Sequence, residues 1–379
     1  MKKIVLAIVL FVASTAVHAQ DTAYVRSIIS TLSSPQMYGR GSSYHGDSLA
    51  AQFLASEMHR LGVLPLQVDY LQHYTYPCYS FSGPVSLNIN GQPLQPYVDY
   101  RVFSAARHAK PEKLARASWK KQAKDGTWIY AVDKLDTYSP IVGPYADVPV
   151  CVQVLKSALP RKVKNFNLSV PVAFQPQYHS QNVVGYIPGV VDTMIVFTAH
   201  YDHCGIMGDS VLFPGAHDNA SGTAAVLDLA RMASQSQPYY TLVFMLFSGE
   251  ESGLLGSRHA AENPLINYTK VKLLCNIDMF CGGDEGLMVF NANSESTQPF
   301  YQQLVEQNNI LHAAREIRPR DNSANSDHYW FSRYCPSIFL LTMGKPYGGY
   351  HDPYDTCLAC GLNHYIPFMT LIKSLAQLP

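Results

Sequence analysis

Two hydrophobic periods alternate along the second half of this chain. Continuous apolar, β-favouring runs occur at "TMIVFTAH" (193–200), "YTLVFMLF" (240–247), "KLLCNIDM" (272–279) and "PSIFLLTM" (336–343). Runs of this kind predict strands covered on both faces. Between and after them lie "ASGTAAVLDLARMAS" (220–234), "GLLGSRHAAEN" (253–263) and "HYIPFMTLIKSLAQL" (364–378), whose apolar spacing predicts helices. Two further helices are predicted near the start, over Asp21 to Leu32 and Gly46 to Leu61. The second places Leu49, Phe53, Leu54, Met58 and Leu61 on one face and stops at Gly62, a suitable helix terminator. From Thr75 to Phe174 the texture changes to short alternating runs broken by Gly, Pro, Asn and Asp ("VSLNING", "TWIYAVDKL", "VPVCVQVL"), with a basic stretch between Arg107 and Lys124.

This alternation implies an α/β fold: a central mixed, largely parallel β-sheet sandwiched by helices, with an inserted β-rich subdomain. The expected divisions are a signal peptide over 1–19, an N-terminal helical part over 20–74, the insert over 75–174 and a catalytic core over 175–379.

The opening "MKKIVLAIVLFVASTAVHAQ" stands apart. Lys2 and Lys3 precede an apolar stretch too short to span a membrane comfortably, and Val17-His18-Ala19 offers the small residues of a cleavage site. A cleaved secretory signal is the expectation, with the mature protein starting near Gln20, exported to the periplasm or secreted. The 379 residues carry no net charge, which argues against nucleic acid or an anionic membrane as partner. Oligomeric state is not set by the sequence. Eight cysteines in an exported chain permit disulfides. Proximity favours Cys357 with Cys360, and the remaining cysteines, in or near apolar stretches, are read mostly as core thiols.

The polar residues that interrupt this pattern fall in comparable places. His200 and Asp202 close one predicted strand, Asp218 precedes a helix, Glu250 and Glu251 follow the next strand, and Asp278 closes a third. His351 lies in the loop "GGYHDPYDT" after a fourth. In an open α/β sheet these positions meet at the carboxyl ends of the strands. Each residue alone has an ordinary structural reading, such as a helix cap for Asp218. Together, two histidines and three carboxylates are a ligand set for two zinc ions about 3.5–4 Å apart if one carboxylate is shared. The adjacent Glu250 and Glu251 then divide the work, one binding metal and the other free as a general base.

The segments "TAHYDH", "GAHDNASGTAAVLDLAR", "FSGEESGLLGS", "NIDM", "SDHYWF" and "YHDPYDT" occur in the order seen in the di-zinc aminopeptidases, which the chain resembles from about Asn182 onward. "MYGRGSS" and the helix after it are similar to the N-terminal segment of that family. The resemblance implies a zinc-dependent exopeptidase acting on peptides, with a di-zinc-activated water and Glu250 as its base. It implies His200 and Asp278 on one zinc, Glu251 and His351 on the other, and Asp218 between them. Asp202 would orient His200, Tyr350 would hydrogen-bond the tetrahedral intermediate, and Asp327 and His328 would line or back the pocket. His217 and His203 depart from the family pattern and are read as filling space, although they could also adjust metal affinity. Glutaminyl cyclases share the fold and most of the ligands with a single zinc, so a cyclase-like transferase is the alternative. A non-catalytic module of the same fold is disfavoured by the complete ligand set. The preferred first residue is left open, and cobalt or manganese could occupy the same ligands.

Overall fold

The computed structural model describes residues 22–104, 116–140, 150–344 and 349–378. The proposed signal segment and part of the basic stretch lie outside them. Among the described residues the main sheet has nine strands. Its centre is four parallel strands in the order Tyr240–Phe247, Val191–His200, Val271–Ile277, Ser337–Met343. On one side Val172–Ile187 pairs antiparallel with Tyr240–Phe247 and carries Leu64–Pro65 and Leu71–Phe81, each antiparallel to it; on the other Gly286–Phe290 pairs antiparallel with Ser337–Met343 and in parallel with Ile317–Pro319. The α/β architecture with a mixed, centrally parallel sheet is therefore as expected.

Alternate residues of the central strands serve two cores. Ile195, Phe197, Leu242, Phe244 and Leu246 pack against Val25, Leu54, Val226, Leu227 and Ile372 of the helices Thr22–Leu32, Gly46–Arg60, Ser221–Ala233 and Tyr365–Ala376. Val196, Val243 and Met245 face Ala260, Ala261 and Phe331, carried by Leu255–Glu262 and His328–Phe331. Because both faces are covered, the strands read as unbroken apolar runs. The helix Ser221–Ala233 is buried at every residue but Arg231, which its Ala, Gly and Ser content allows by letting it sit close to the sheet.

The helix Gly46–Arg60 buries a different face from the one expected. Ala50, Ala51, Leu54 and Met58 point inward, whereas Leu49 is 39% exposed and Phe53 half-buried. The cause is Asp47, which is itself buried. Its carboxylate accepts hydrogen bonds from the Tyr178 hydroxyl, from Ser180 Oγ at 2.8 Å and from the Ser48 amide at 2.8 Å. Turning Asp47 inward rotates Leu49 outward, and the alanines take the core-facing positions.

The strands Leu71–Phe81 and Val172–Ile187 run together out of the main sheet. Between them in sequence lie a three-stranded sheet (Ser86–Ile89, Gln92–Leu94, Phe166–Ser169) and a four-stranded one (Tyr100–Ser104, Lys120–Gln122, Trp128–Val132, Val150–Leu155). Their core includes Val102, Ile129 and Val152 together with Cys204, Met207 and Phe213, so these sheets pack directly on the loop that follows His200.

The expected Cys357–Cys360 disulfide is overturned. Cys360 pairs with Cys281, across a sequence separation of 79 and a Cα–Cα distance of 5.4 Å, while Cys357 is a free thiol. Arg26 Nη1 donates to the carbonyls of Cys357 and Cys360, both at 2.7 Å, and holds a turn in which Cys360 faces the core and Cys357 faces Arg26. The bond therefore joins the loop after Asp278 to the segment after His351.

Burial pushes the Asp47 carboxyl up from 3.8 to about 6, against the hydroxyl and amide donors that favour its charged form. A carboxyl raised by folding contributes most to stability below its unfolded pKa and loses that contribution as pH rises through the folded value. The unfolding free energy of the wild type relative to Asp47→Asn should therefore fall by on the order of 3 kcal/mol as pH is raised across this window. Denaturant titrations at several pH values check this, and parallel stability curves for the two proteins would refute it.

Candidate metal centre

The four parallel strands end level, because the register pairs His200 with Phe247, Thr198 with Asn276 and Ile277 with Leu340. His200 is the last residue of its strand, Asp278 directly follows Ile277, and the Glu250-Glu251 pair comes just after Phe247. Asp218 lies in the turn leading into the helix that starts at Ser221, and the Asp218–Asn219 peptide is cis. His351 comes in on the loop beyond Met343. All five predicted ligands meet here and are buried.

Their donor atoms form two groups that share Asp218. His200 Nε2 is 3.2 Å from Asp278 Oδ1 and 3.3 Å from Asp218 Oδ1. His351 Nε2 is 3.3 Å from Asp218 Oδ2 and 2.9 Å from Glu251 Oε2. Ligands around a tetrahedral zinc stand roughly 3.3 Å apart, given metal–ligand bonds near 2.0–2.2 Å. The His351 Nε2 atom is buried and makes no hydrogen bond to these carboxylates despite its closeness. A buried imidazole nitrogen set close to the oxygens of two carboxylates is what a metal ligand presents, and the donor set fits zinc.

Supporting contacts set each ligand. The Nδ1 of His200 lies 3.2 Å from the Asp202 carbonyl, and that of His351 lies 2.7 Å from the Tyr138 carbonyl, so both rings turn Nε2 to the cluster. Tyr138 follows the strand Trp128–Val132 of the four-stranded sheet, so this part of the chain orients His351. The Asp202 carboxylate is 3.7 Å from His200 Nδ1 and also accepts the Glu250 and Glu251 amides at 3.1 and 3.3 Å. Its carboxylate thus anchors the glutamate turn, while its carbonyl makes the closer contact to His200. Asp278 Oδ2 accepts from Ser326 Oγ at 2.7 Å, which in turn accepts from Asn276.

Four further residues lie within the quoted segments without a role readable from the sequence. Asp355 accepts the backbone amides of His217 and Asp218 and so positions the shared carboxylate. Asn219 donates to the Ile277 carbonyl at 3.0 Å and accepts the Met279 amide at 3.0 Å, tying the Asp218 turn to the Asp278 strand end. Arg40 is fully buried beneath the cluster and donates to the carbonyls of Leu32, Tyr201, Pro214, Gly215 and Asp218. Gly39, beside it, takes φ +64°, and a Cβ there would stand 2.1 Å from the Gly205 carbonyl oxygen. That contact explains why "YGRG" must be glycine-rich.

His203 also corrects an expectation. It does more than fill space, since its Nδ1 is 2.9 Å from Glu251 Oε1. His217 is different: its Nδ1 accepts the Cys281 amide at 3.2 Å, and burial pushes its pKa down to about 4, so its ring is a neutral structural acceptor. Asp327 and His328 are fully buried and do not line the cleft, whose wall carries Ala324 and Asn325 instead.

Burial opposes ionisation at Glu251, yet His351 and His203 outweigh it and hold the carboxyl at about 2. Burial pushes Glu250 the other way, well above the carboxylate range, with Glu251, Asp327 and Asp278 adding to the rise against His200. Two adjacent glutamates thus have opposite proton affinities. Glu250 faces a cleft of about 380 Å³ lined also by Tyr138, Leu254, Asn325 and Tyr350. It also reaches a smaller pocket of about 120 Å³ walled by Met279, Phe339 and Leu341 beside His200 and Asp278. Tyr350 lines both spaces and stacks on His351, their ring centroids 3.8 Å apart.

Residues 182–370 match the model of Peptidase family M28, and the chain belongs to that family. A probable leucine aminopeptidase of Trichophyton verrucosum is 30% identical over 214 residues, covering 51% of this chain and 54% of that protein. A probable zinc metalloprotease of Pyrenophora tritici-repentis is 36% identical over 111 residues, covering 28% of this chain and 23% of that protein. The chain thus spans between about a quarter and a half of the length of these relatives. In three dimensions it is similar to a zinc aminopeptidase of Bacillus subtilis, with a TM-score of 0.67 at 18% identity over 94% of both chains. A glutaminyl cyclase of Bacteroides thetaiotaomicron superposes with a TM-score of 0.56 at 13% identity, over 95% of this chain and 99% of that one.

Asp355→Ala removes the acceptor that holds the Asp218 turn. Its apparent zinc affinity should drop about 10- to 100-fold, read by competition with a chromogenic chelator. Unchanged affinity would show that Asp218 is positioned without it.

Proposed function

We propose that this protein is an exported di-zinc aminopeptidase that removes apolar residues from the N-termini of peptides. The observation that carries the reading is the shared carboxylate: Asp218 turns Oδ1 toward His200 and Oδ2 toward His351. His200 and Asp278 would hold one zinc, Glu251 and His351 the other, and Asp218 both. Bound there, the zinc pair supplies Lewis acidity and a water acidic enough to ionise near neutral pH.

The chain's own residues account for the rest of the chemistry. Glu250 has its carboxyl raised by burial, stands at the junction of cleft and small pocket, and would take the proton of the attacking water and pass it to the departing amine. Asp202 keeps Glu250 and Glu251 in their separate roles by holding both amides. Tyr350, over His351, would donate to the scissile carbonyl oxygen. The Met279, Phe339 and Leu341 walls suit an apolar first side chain, in keeping with the leucine aminopeptidase relatives. Residues 75–174 act in this reading as an inserted β subdomain whose Thr137, Tyr138 and Ser139 close one side of the cleft. A cleft walled in this way favours chain ends over the middle of a polypeptide. No described helix is long and apolar enough to cross a membrane, and export is read from the leader.

Glu250→Ala should retain the metal content of the wild type while its hydrolysis of leucine anilides falls about 10²–10⁴-fold or more. The wild type should leave the N-acetylated anilide intact. Full activity in the variant would sink the mechanism, and cleavage of the blocked substrate would sink the exopeptidase assignment.

A further inference from the structure

The two halves of the cluster are chemically unequal. Around His200 the additional donors are the carboxylates of Asp218 and Asp278. Around His351 they include an imidazole and a thiol: one donor atom each from His203, Cys204, Glu251 and His351 lies within 4.8 Å of all the others. His203 Nδ1 is 2.9 Å from Glu251 Oε1 and 3.8 Å from Asp218 Oδ2, and Cys204 Sγ is 3.9 Å from the same Glu251 oxygen. All four residues are buried. His351 Nε2 points into the group without a hydrogen bond.

We propose that the His351 half is a thiolate metal site in which Cys204 and His203 join Glu251 and His351 as ligands. This rests on the metal-pair reading above and adds two donors to it. With Asp218 the site would offer five donors; a sulfur ligand stands roughly 3.5 Å from nitrogen and oxygen ligands of the same zinc, and Cys204 Sγ is 3.9 Å from Glu251 Oε1. The loop that supplies both new donors is anchored for it. The His203 amide donates to the Arg40 carbonyl at 3.4 Å, and the Gly205 amide to the Gly39 carbonyl at 3.0 Å. Cys204 has no disulfide partner among the described residues. Metal uptake forms a sulfur–metal bond, breaks the S–H bond and releases that proton to solvent.

A consequence is selective loading. Thiolate with imidazole retains zinc and rejects magnesium and manganese, whereas the His200 half, with one imidazole and two carboxylates, admits manganese or cobalt. The protein would keep one resident zinc and exchange the other ion.

The test is a titration of the metal-free, full-length mature protein with cobalt(II), with bound cobalt counted by elemental analysis. Two cobalt ions should bind, and one should raise a thiolate-to-cobalt charge-transfer band in the near ultraviolet. Cys204→Ser should lose that band, and His203→Ala should release one ion at about tenfold lower chelator concentration. Two ions bound without the band would overturn the thiolate site and leave the metal pair standing. One ion with the band would keep the thiolate site and remove the pair, and no binding would remove both. A band that persists in Cys204→Ser would assign it to another cysteine and refute the proposal.

Discussion

The structure depends on concentrating acid in a place that water barely reaches. Asp202, Asp218, Glu251, Asp278, Asp327 and Asp355 are all buried at one end of the sheet, with Glu250 at its mouth. Carboxylates desolvated together repel one another, and such a group persists where positive charge or protons compensate it. Arg40 contributes a fixed cation from below, even though burial brings its guanidinium down to about 10 against the pull of Asp218 and Asp355. Burial would likewise depress His200, but Asp278 and Glu250 push it well above the imidazole range. The proposed zinc pair would take the place of those protons.

That arrangement is expensive to position, and much of the fold serves it. Parallel strands with a common register bring His200, Asp278 and the glutamate turn to one edge. A second layer of polar contacts then removes the remaining freedom. Asp47 reaches Ser180, Ser180 lies 2.8 Å from Ser248, and Ser248 precedes the Gly249-Glu250 turn. Asp355 and Asn219 hold the Asp218 turn from two sides, and the Cys281–Cys360 bond joins the segments bearing Asp278 and His351. The small sheets contribute as well, through the Tyr138 carbonyl on His351.

The sheet's centre and the meeting of the five proposed ligands were legible because burial on both faces writes strands as continuous apolar runs, and strand ends in such a sheet converge. Other features were not legible, for identifiable reasons. The helix Gln298–Leu311 was missed because its one fully buried residue is Leu304, which leaves almost no apolar stripe. The face of Gly46–Arg60 was misjudged because a buried aspartate and two alanines outweigh Leu49. Cys357–Cys360 looked paired by spacing, whereas Cys281 is close to Cys360 only in space. Arg40 and Asp355 act on backbone groups distant in sequence, and no local pattern encodes such partners. His203 sat next to the "HYD" ligand segment, and that adjacency was the available sign that it could reach the cluster.

The account's central claim is that one carboxylate, Asp218, stands between two metal ions. The most direct measurement is an anomalous difference map from zinc-grown crystals, collected on both sides of the zinc absorption edge. Two peaks about 3.5–4 Å apart, flanking the Asp218 carboxylate, are predicted. A single peak, or a pair that leaves Asp218 unligated, would contradict it.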